Sequence, residues 1–483
     1  MALGISYFLK EKLDGKGAFP GRTFYGETFT LALFALSGIE TQVKSGCMLE
    51  RYERMDRSAP EFHWEFNNYA LLIYRDLTGD SRVDRLVFPL RMKGTTCTNW
   101  TLLRFVSECL ADGDHKKLAG EACQLLNNRQ LPSGLILDDK QVKSFQYHCF
   151  SAAMIYELYL LTGDFLLRDR FLRAVVFIRR FILNNGEALY IGRGQNQSFG
   201  YGTLIYILAC AYKLTRDATL LDQLELVVSY LKSYRREHGN FPLVIGGGEK
   251  RIPEAVSLID PEFAGWYPYN NYYDYLPFLG FFLAKAAAVL ESNVIGPVQR
   301  YSAGDYNDPD FRIVRRNKYT AVLSRPGGYW TNYLAIPYVM GSERLMPCYG
   351  GEQFQDSLYD ERMLGLPYFP TFHRSISWKA MSRFVGNSLC IASPLGIMRR
   401  HFRFLEDAIE IRSRVVSMFS SQHIYAVLDE TCQISETRLS HPKGLEIQSS
   451  NHLVFIGYGY SACGRLKLFS TDSGESYLKL VIK

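Results

Sequence analysis

Residues 189–202, Leu-Tyr-Ile-Gly-Arg-Gly-Gln-Asn-Gln-Ser-Phe-Gly-Tyr-Gly, bring an Arg, several amides, a Ser and Tyr201 to the point where a glycine-rich loop enters the apolar helix pattern Thr203–Leu214. Loops held on rigid scaffolds are where binding and catalytic groups concentrate. Similar mixtures occur at His63-Trp64-Glu65-Phe66-Asn67-Asn68, at Gln146-Tyr147-His148, and at Trp266-Tyr267-Pro268-Tyr269-Asn270-Asn271-Tyr272-Tyr273-Asp274. A long polar insertion, Met346–Ser377, adds Tyr349-Gly350-Gly351-Glu352-Gln353 and Phe372-His373-Arg374. An imidazole and a phenol can work as an acid–base pair. The phenol, with an unperturbed pKa of about 10, acts as a base only beside positive charge. Amides and guanidinium groups hold an anion, and Trp and Tyr faces suit a ligand that is partly apolar and partly polar, such as a sugar.

Each residue also has a plain structural reading. Trp64 suits a core, His148 sits near the start of an otherwise apolar helix, and Tyr201 between Gly200 and Gly202 suits close helix packing. Asn67-Asn68 and Asn270-Asn271 read equally as helix caps.

The elements that must position these groups are helical from about residue 21 to 292, with apolar residues at three- and four-residue spacing. The pattern predicts helices over 24–37, 62–77, 99–111, 115–127, 145–161, 165–184, 200–214, 219–236 and 271–291. Leu77-Thr78-Gly79-Asp80, Leu161-Thr162-Gly163-Asp164 and Leu214-Thr215-Arg216-Asp217 each close one helix and open the next, and Ala111-Asp112-Gly113-Asp114 is a looser copy. Spacings of 34, 50 and 53 residues between successive Asp positions fit one helix pair per repeat. Such pairs build a solenoid or a closed ring whose inner helices run parallel, with their N-terminal ends on one rim. Counting back fourteen positions from Thr78, Thr162 and Thr215 gives Trp64, His148 and Tyr201, which places the three at one height on that rim. After residue 292 the character changes. A Gly-, Pro-, Asn- and Asp-bearing stretch precedes short alternating runs from Tyr319 to Ile482, which predict an antiparallel β-sandwich. The expected organisation is multidomain: an N-terminal (α/α) toroid of helical hairpins over 1–295, a linker over 296–310 and a C-terminal β-sandwich over 311–483.

This order of parts, with Ser198-x-x-Tyr201 after a Gly/Arg/Gln-rich lead-in and a His-bearing helix about fifty residues upstream, resembles the toroid-plus-sandwich polysaccharide lyases of the heparinase II/III and alginate-lyase type. The resemblance implies β-elimination on a uronic-acid-containing polysaccharide. Tyr201 and His148 would be the acid–base pair, with His373 standing in for the sandwich histidine. Carboxylate neutralisation would fall to Asn68, Arg193, Asn196 and Gln197, and sugar contact to Trp64, Asn67, Tyr147, Asn271, Tyr273, Tyr349 and Arg374. Two departures stand out. The family's Asn beside the His is Tyr147 here, and the sandwich lacks a His-x-His segment.

Other classes of activity remain open. A toroid hydrolase would need two carboxylates across a cleft, and Glu65, Glu262, Asp274, Glu352 and Asp356 are available. A uronyl C5-epimerase removes the same proton, and a non-catalytic glycan-binding protein could keep the scaffold alone. No cofactor or metal spacing is found, because the nine His are dispersed. Gly246-Gly247-Gly248-Glu249-Lys250 lacks the full phosphate-loop spacing and reads as a turn. A net charge of +6 with no basic block argues against nucleic acid and is compatible with an acidic polysaccharide or oligosaccharide. The ten cysteines are scattered singly, and Cys109, Cys123, Cys149 and Cys210 fall inside apolar helix patterns, as reduced buried thiols do. Lys10, Glu11, Lys12 and Asp14 interrupt the place of a signal peptide, and no apolar run reaches spanning length. The expectation is a cytoplasmic protein without membrane insertion.

Overall fold

The computed structural model describes residues 1–39, 42–56, 63–87, 97–140, 142–192, 195–246, 271–291, 296–325, 334–346, 367–368, 381–393, 396–417, 422–428, 433–461, 464–472 and 475–483. Tyr349, His373 and Arg374 lie outside them, as do Arg193 and the Trp266–Asn270 part of the fourth cluster.

The helices are α1 (Ala2–Lys12), α2 (Gly26–Leu36), α3 (Gln42–Glu53), α4 (Trp64–Thr78), α5 (Thr98–Leu110), α6 (His115–Arg129), α7 (Phe145–Thr162), α8 (Phe165–Arg179), α9 (Ser198–Thr215), α10 (Thr219–Ser233) and α11 (Tyr272–Glu291). A short 3-10 helix, Ser81–Arg85, follows α4. Six of these close a ring by packing in the order α2, α4, α5, α7, α9, α11 and back to α2. The outer layer is α1 against α11 and α2, α3 against α2, the 3-10 helix against α4, α6 against α5 and α7, α8 against α7, and α10 against α9.

The repeated Leu-Thr-x-Asp is the hinge of this ring, and its chemistry is the same in three copies. The Thr hydroxyl donates to the carbonyl four residues back, in Tyr74, Leu158 and Ala211, and accepts from the backbone N–H of the Asp two residues on, at 3.3 Å each time. The residue between turns left-handed, at φ 71°, 71° and 57° for Gly79, Gly163 and Arg216. Glycine adopts that conformation without strain, and Arg216 is the copy that must bear it. The Asp carboxylate then accepts an N–H of the next helix, as Asp164 does from Leu166 and Leu167.

Closing the ring brings the last inner helix against the first. Asp274, buried in the first turn of α11, accepts the backbone N–H groups of Phe24, Tyr25 and Gly26 through Oδ1 at 2.9, 2.8 and 2.7 Å. Three residues on, Pro277 lacks the N–H that would take the Tyr273 carbonyl. Gly26 lies against that carbonyl, and a Cβ there would collide with it. Among the described residues α11 is the one helix long and apolar enough to cross a membrane, yet 72% of its apolar window is buried within the protein. Gly202 of α9 brings the same helix close, because a Cβ there would meet the Leu279 backbone oxygen at 3.1 Å. Deeper in the bore, Lys285 Nζ lies 2.5 Å from Glu157 Oε1, and the Tyr206 hydroxyl donates to the same carboxylate.

The strands are β1 (Tyr306–Asn307), β2 (Phe311–Arg315), β3 (Thr320–Ser324), β4 (Leu334–Met340), β5 (Arg344–Met346), β6 (Pro367–Tyr368), β7 (Met381–Val385), β8 (Ser388–Ser393), β9 (Gly396–Phe404), β10 (Ala408–Ser417), β11 (Gln422–Leu428), β12 (Gln433–Ile434), β13 (Arg438–His441), β14 (Leu445–Ser449), β15 (Val454–Ser461), β16 (Gly464–Asp472) and β17 (Glu475–Ile482). All pair antiparallel, in sheets ordered β1-β2-β3-β4-β5, β12-β13-β14-β17-β10-β9-β8-β7 and β15-β16-β11-β6. Pairing thus begins at Tyr306, inside the stretch expected to be a linker. The five-stranded sheet is buried on both faces, as its two-residue alternation dictates. Phe311, Ile313, Val322, Tyr338 and Met340 join the helical core, while Ala321, Leu323 and Val339 join the core of the other sheets.

A buried acid ties this sheet to the toroid. Glu187, in the loop between α8 and α9, accepts from Arg344 Nη2 at 2.8 Å, from the Tyr338 hydroxyl at 2.7 Å and from Asn196 Nδ2 at 2.9 Å. A second tie joins Lys143 Nζ to Asp310 Oδ1 at 2.7 Å, and Arg325 pairs with the same oxygen at 2.8 Å.

Candidate active site

The N-terminal ends of the six inner helices carry aromatic side chains that meet across the bore. Tyr25, just before α2, stacks on Phe66 of α4 with ring centroids 4.8 Å apart. His63, the residue that caps α4, packs against Trp100 of α5 at 5.1 Å and against Tyr25 at 5.7 Å. Phe66 meets Phe150 of α7 at 5.7 Å, and Phe150 meets Phe278 of α11 at 5.2 Å. Phe199 of α9 completes the circle, 5.2 Å from Phe278, 4.6 Å from Tyr275 and 6.1 Å from Tyr147.

Exposure separates a floor from a rim. Phe150 and Phe278 are sealed at 1% each, His63 and Trp100 are half-buried, and Tyr25, Tyr147 and Tyr275 keep 6–8% of their surface. The result is an aromatic cluster at the rim, the cup, that includes an imidazole and three tyrosine rings. Rings of this kind, with an apolar face and a polar edge, are suited to sugar faces and hydroxyls.

The expected acid–base pair does not form. His148 and Tyr201 are both fully buried. His148 turns outward toward α8, where Nε2 faces the Ala174 carbonyl at 3.0 Å and the ring meets Phe177, while Nδ1 accepts the N–H of Ile136, in the segment between α6 and α7, at 2.9 Å. Burial pushes its pKa down to about 4, so it is a neutral structural histidine. Tyr201 turns toward α10, with its ring 5.6 Å from Tyr230 and its hydroxyl donating to Asn196 Oδ1 at 3.0 Å. Burial, with the Glu187 carboxylate nearby, holds this phenol well above its ordinary pKa, the reverse of what a base needs.

The fourteen-residue register located the rim but not its face. Successive helix residues are rotated by about 100°, and the side chains in the cup are His63, Tyr147 and Phe199, one or two positions before Trp64, His148 and Tyr201.

The other expected site residues fall into three groups. Tyr147 is in the cup. Trp64, Asn67, Asn196, Gln197, Asn271 and Tyr273 are engaged in the scaffold. The Arg104 guanidinium lies over Trp64 at 5.7 Å. Asn67 donates to the carbonyls of Phe24 and His63 and accepts from Thr28, pinning α2 to α4. Asn196, at φ 55°, bridges Glu187 and Tyr201. Gln197 accepts from Gln146 Nε2 at 3.0 Å, Asn271 accepts the Tyr273 N–H, and the Tyr273 ring stacks on Phe19 at 5.0 Å. Asn68 is buried in α4. Arg193, Tyr349, His373 and Arg374 lie outside the described residues.

Sequence reasoning passed over His63, Trp100, Tyr25 and Tyr275. His63 stood in a quoted cluster beside the chosen Trp64, and the available signal was its place immediately before a helix. The two described carboxylates counted for a hydrolase are both committed: Glu65 pairs with Arg104 at 3.2 Å, and Asp274 caps α2.

No family model matches the sequence, and no curated relative does. The likeness lies in the fold alone: a helical ring followed by antiparallel sheets. The chain is similar to chondroitin AC lyase of Streptomyces coelicolor A3, solved in complex with chondroitin sulphate, at 11% identity and a TM-score of 0.56, covering 100% of this chain and 78% of that one. A mutant of that lyase gives 0.54 at the same identity and coverage. A heparan sulfate lyase HepC mutant from Pedobacter heparinus, 12% identical, covers 99% of this chain and 87% of that one with a TM-score of 0.37.

Proposed function

We propose that the aromatic cup binds an acidic polysaccharide and that the protein cleaves it by β-elimination at a uronate residue. The observation that supports this most is the placing of His63 and Tyr25 at the rim, 5.7 Å apart between ring centroids and beside the half-buried Trp100. His63 takes the proton from C5 of the uronate. The electron pair forms the C4–C5 double bond, the C4–O4 bond breaks, and the leaving oxygen receives a proton from a phenol, Tyr25. Trp100 and Tyr147 support the sugar faces. The uronate carboxylate, whose charge grows as C5 loses its proton, must be hydrogen-bonded or charge-paired for the step to proceed; Arg193, which the sequence offers for that task, lies outside the described residues.

Incubation with uronate polysaccharides is expected to give products with the ultraviolet band of a conjugated enol-acid. His63→Gln is expected to lower kcat by at least about 100-fold, the usual worth of positioned acid–base catalysis, with little change in KM. Trp100→Ala is expected to raise KM more than it lowers kcat. Saturated reducing ends instead of that band would identify a hydrolase, and no product from any uronate polymer would end the lyase reading.

A further inference from the structure

The outer face of the eight-stranded sheet carries a block of arginines. Along β8 to β10 the buried side chains, among them Leu389, Ile391, Met398 and Ile411, point into the core shared with the five-stranded sheet, whose opposite face meets the helices. Alternation therefore turns the residues between them away from the ring.

Register lays those residues out in rows across the strands. Arg383 of β7 pairs with Cys390 of β8, Cys390 with Arg399 of β9, and Arg399 with Arg414 of β10. The next row is Val385, Ser388, His401 and Arg412. All four arginines and His401 are exposed. Strands lie about 5 Å apart, and alternate residues about 7 Å apart along each, so Arg399, Arg414, His401 and Arg412 form one compact block. Arg383 stands two strands, about 10 Å, from Arg399 on the same row.

Arg399 and Arg414 are directly opposite each other. Like charges so placed destabilise a sheet. Arg399 Nε donates to Ser388 Oγ at 3.4 Å, and the Arg412 guanidinium lies 5.5 Å from the Tyr477 ring centroid. Among the described residues no carboxylate comes within ion-pair distance of Arg383, Arg399, Arg412 or Arg414. The acids of this face flank the block: Glu410 pairs loosely with Arg403 at 3.7 Å, and Glu475 of β17 follows Arg414 in register. A sheet that keeps a repulsive pair breaks a local rule, as functional surfaces do.

The face is complementary in charge to an extended polyanion. A compact anion meets two of these groups at most, whereas a linear chain laid along the row meets Arg383, Arg399 and Arg414 in turn. Guanidinium forks suit carboxylate and sulfate oxygens alike. The neighbouring row is Met381, Ala392, Ile397 and Val416, with Met381, Ile397 and Val416 exposed at 76%, 59% and 66%, and it offers an apolar strip to the C–H faces of sugar rings. A bilayer surface fits less well, because interfacial anchors are Trp and Tyr and this row holds neither. Single-stranded nucleic acid stacks its bases on open aromatic faces, and Tyr477 is covered by Arg412.

We propose that the outer face of β7 to β10 is a docking surface for a linear acidic polysaccharide, separate from the aromatic cup. The choice of a glycan rests on the reading above, while the polyanion site itself stands on the arginines.

The test is binding of fluorescein-labelled dextran sulfate to the full-length chain, followed by anisotropy. This polymer has no uronate and cannot undergo β-elimination, so the result stands whether or not the cup is catalytic. Saturable binding that weakens with added salt is expected, with none to unsulfated dextran, and labelled polygalacturonate should bind the His63→Gln chain through the same residues. Arg399→Glu combined with Arg414→Glu is expected to weaken both interactions at least about tenfold. Arg54→Glu combined with Arg168→Glu, the same charge change on the helices, should weaken them less than about twofold. Arg399→Glu alone sets opposite charges across the strands and should keep or raise the thermal midpoint, so its loss of binding is not loss of fold. No saturable binding, equal binding of dextran, equal losses in the two double variants, or tighter binding of poly(dT) or of phosphatidylserine vesicles at the same salt would overturn the proposal.

Discussion

Asp274→Ala is expected to destabilise the helical ring by about 3–5 kcal/mol, because it strips three buried backbone N–H groups of their acceptor at once. Those groups begin α2, so the loss falls on the seam between the first and last inner helices. The readout is the denaturation midpoint of the far-ultraviolet helical signal. Asp274→Asn keeps one oxygen acceptor and should cost clearly less.

The pH dependence carries a sign. Burial raises the Asp274 carboxyl to about 7, against the opposing pull of the Tyr25, Phe24 and Gly26 amides. A carboxyl whose folded pKa exceeds its unfolded value binds more protons in the folded state. Its contribution is full below about pH 4 and is lost as pH rises through about 7. The midpoint should therefore fall between pH 5 and 8 more steeply in the unaltered chain than in Asp274→Asn. An equal slope in both would remove the carboxyl from the account.

Glu187→Ala should be comparably damaging, at about 3–5 kcal/mol, because it leaves Arg344 buried without its counter-charge. The carboxylate is fully buried and joins the α8–α9 loop to β4 and β5 through Arg344 and Tyr338. The distinguishing result is the shape of unfolding. Loss of this tie should separate the melting of the helices from that of the sheets, as resolved by calorimetry. Combining Glu187→Leu with Arg344→Met should cost less than the two single changes added together, since neither charge is then stranded.

The helices were legible wherever one face was apolar and the ends were punctuated. The Thr-x-Asp hinges fixed the boundaries of α4, α7, α8 and α9 to within a few residues of those predicted. α1 and α3 were not anticipated, because α1 ends in Lys10, Glu11 and Lys12 and α3 carries five charged or amide side chains among its 12 residues. The sandwich was read from its alternating strands. The division into three sheets was not, since strand order depends on contacts distant in sequence.

The aromatic rim was half legible. Clusters at helix starts marked the end of the ring where Tyr25, His63, Tyr147 and Phe199 gather, and counting residues gave the height at which they do so. Which side chain enters the bore turns on a single residue of helical phase, and His148 and Tyr201 fell on the outward side. Their polar atoms are satisfied by Ile136, Ala174 and Asn196, partners that no local pattern reveals.

That choice of face is the central claim, and turnover of a uronate polysaccharide by two variants tests it directly. With both variants confirmed as folded, Tyr201→Phe is expected to retain elimination activity close to that of the unaltered chain, and His63→Gln to lose nearly all of it. Abolished activity in Tyr201→Phe alongside full activity in His63→Gln would contradict the account and return the chemistry to the buried phenol.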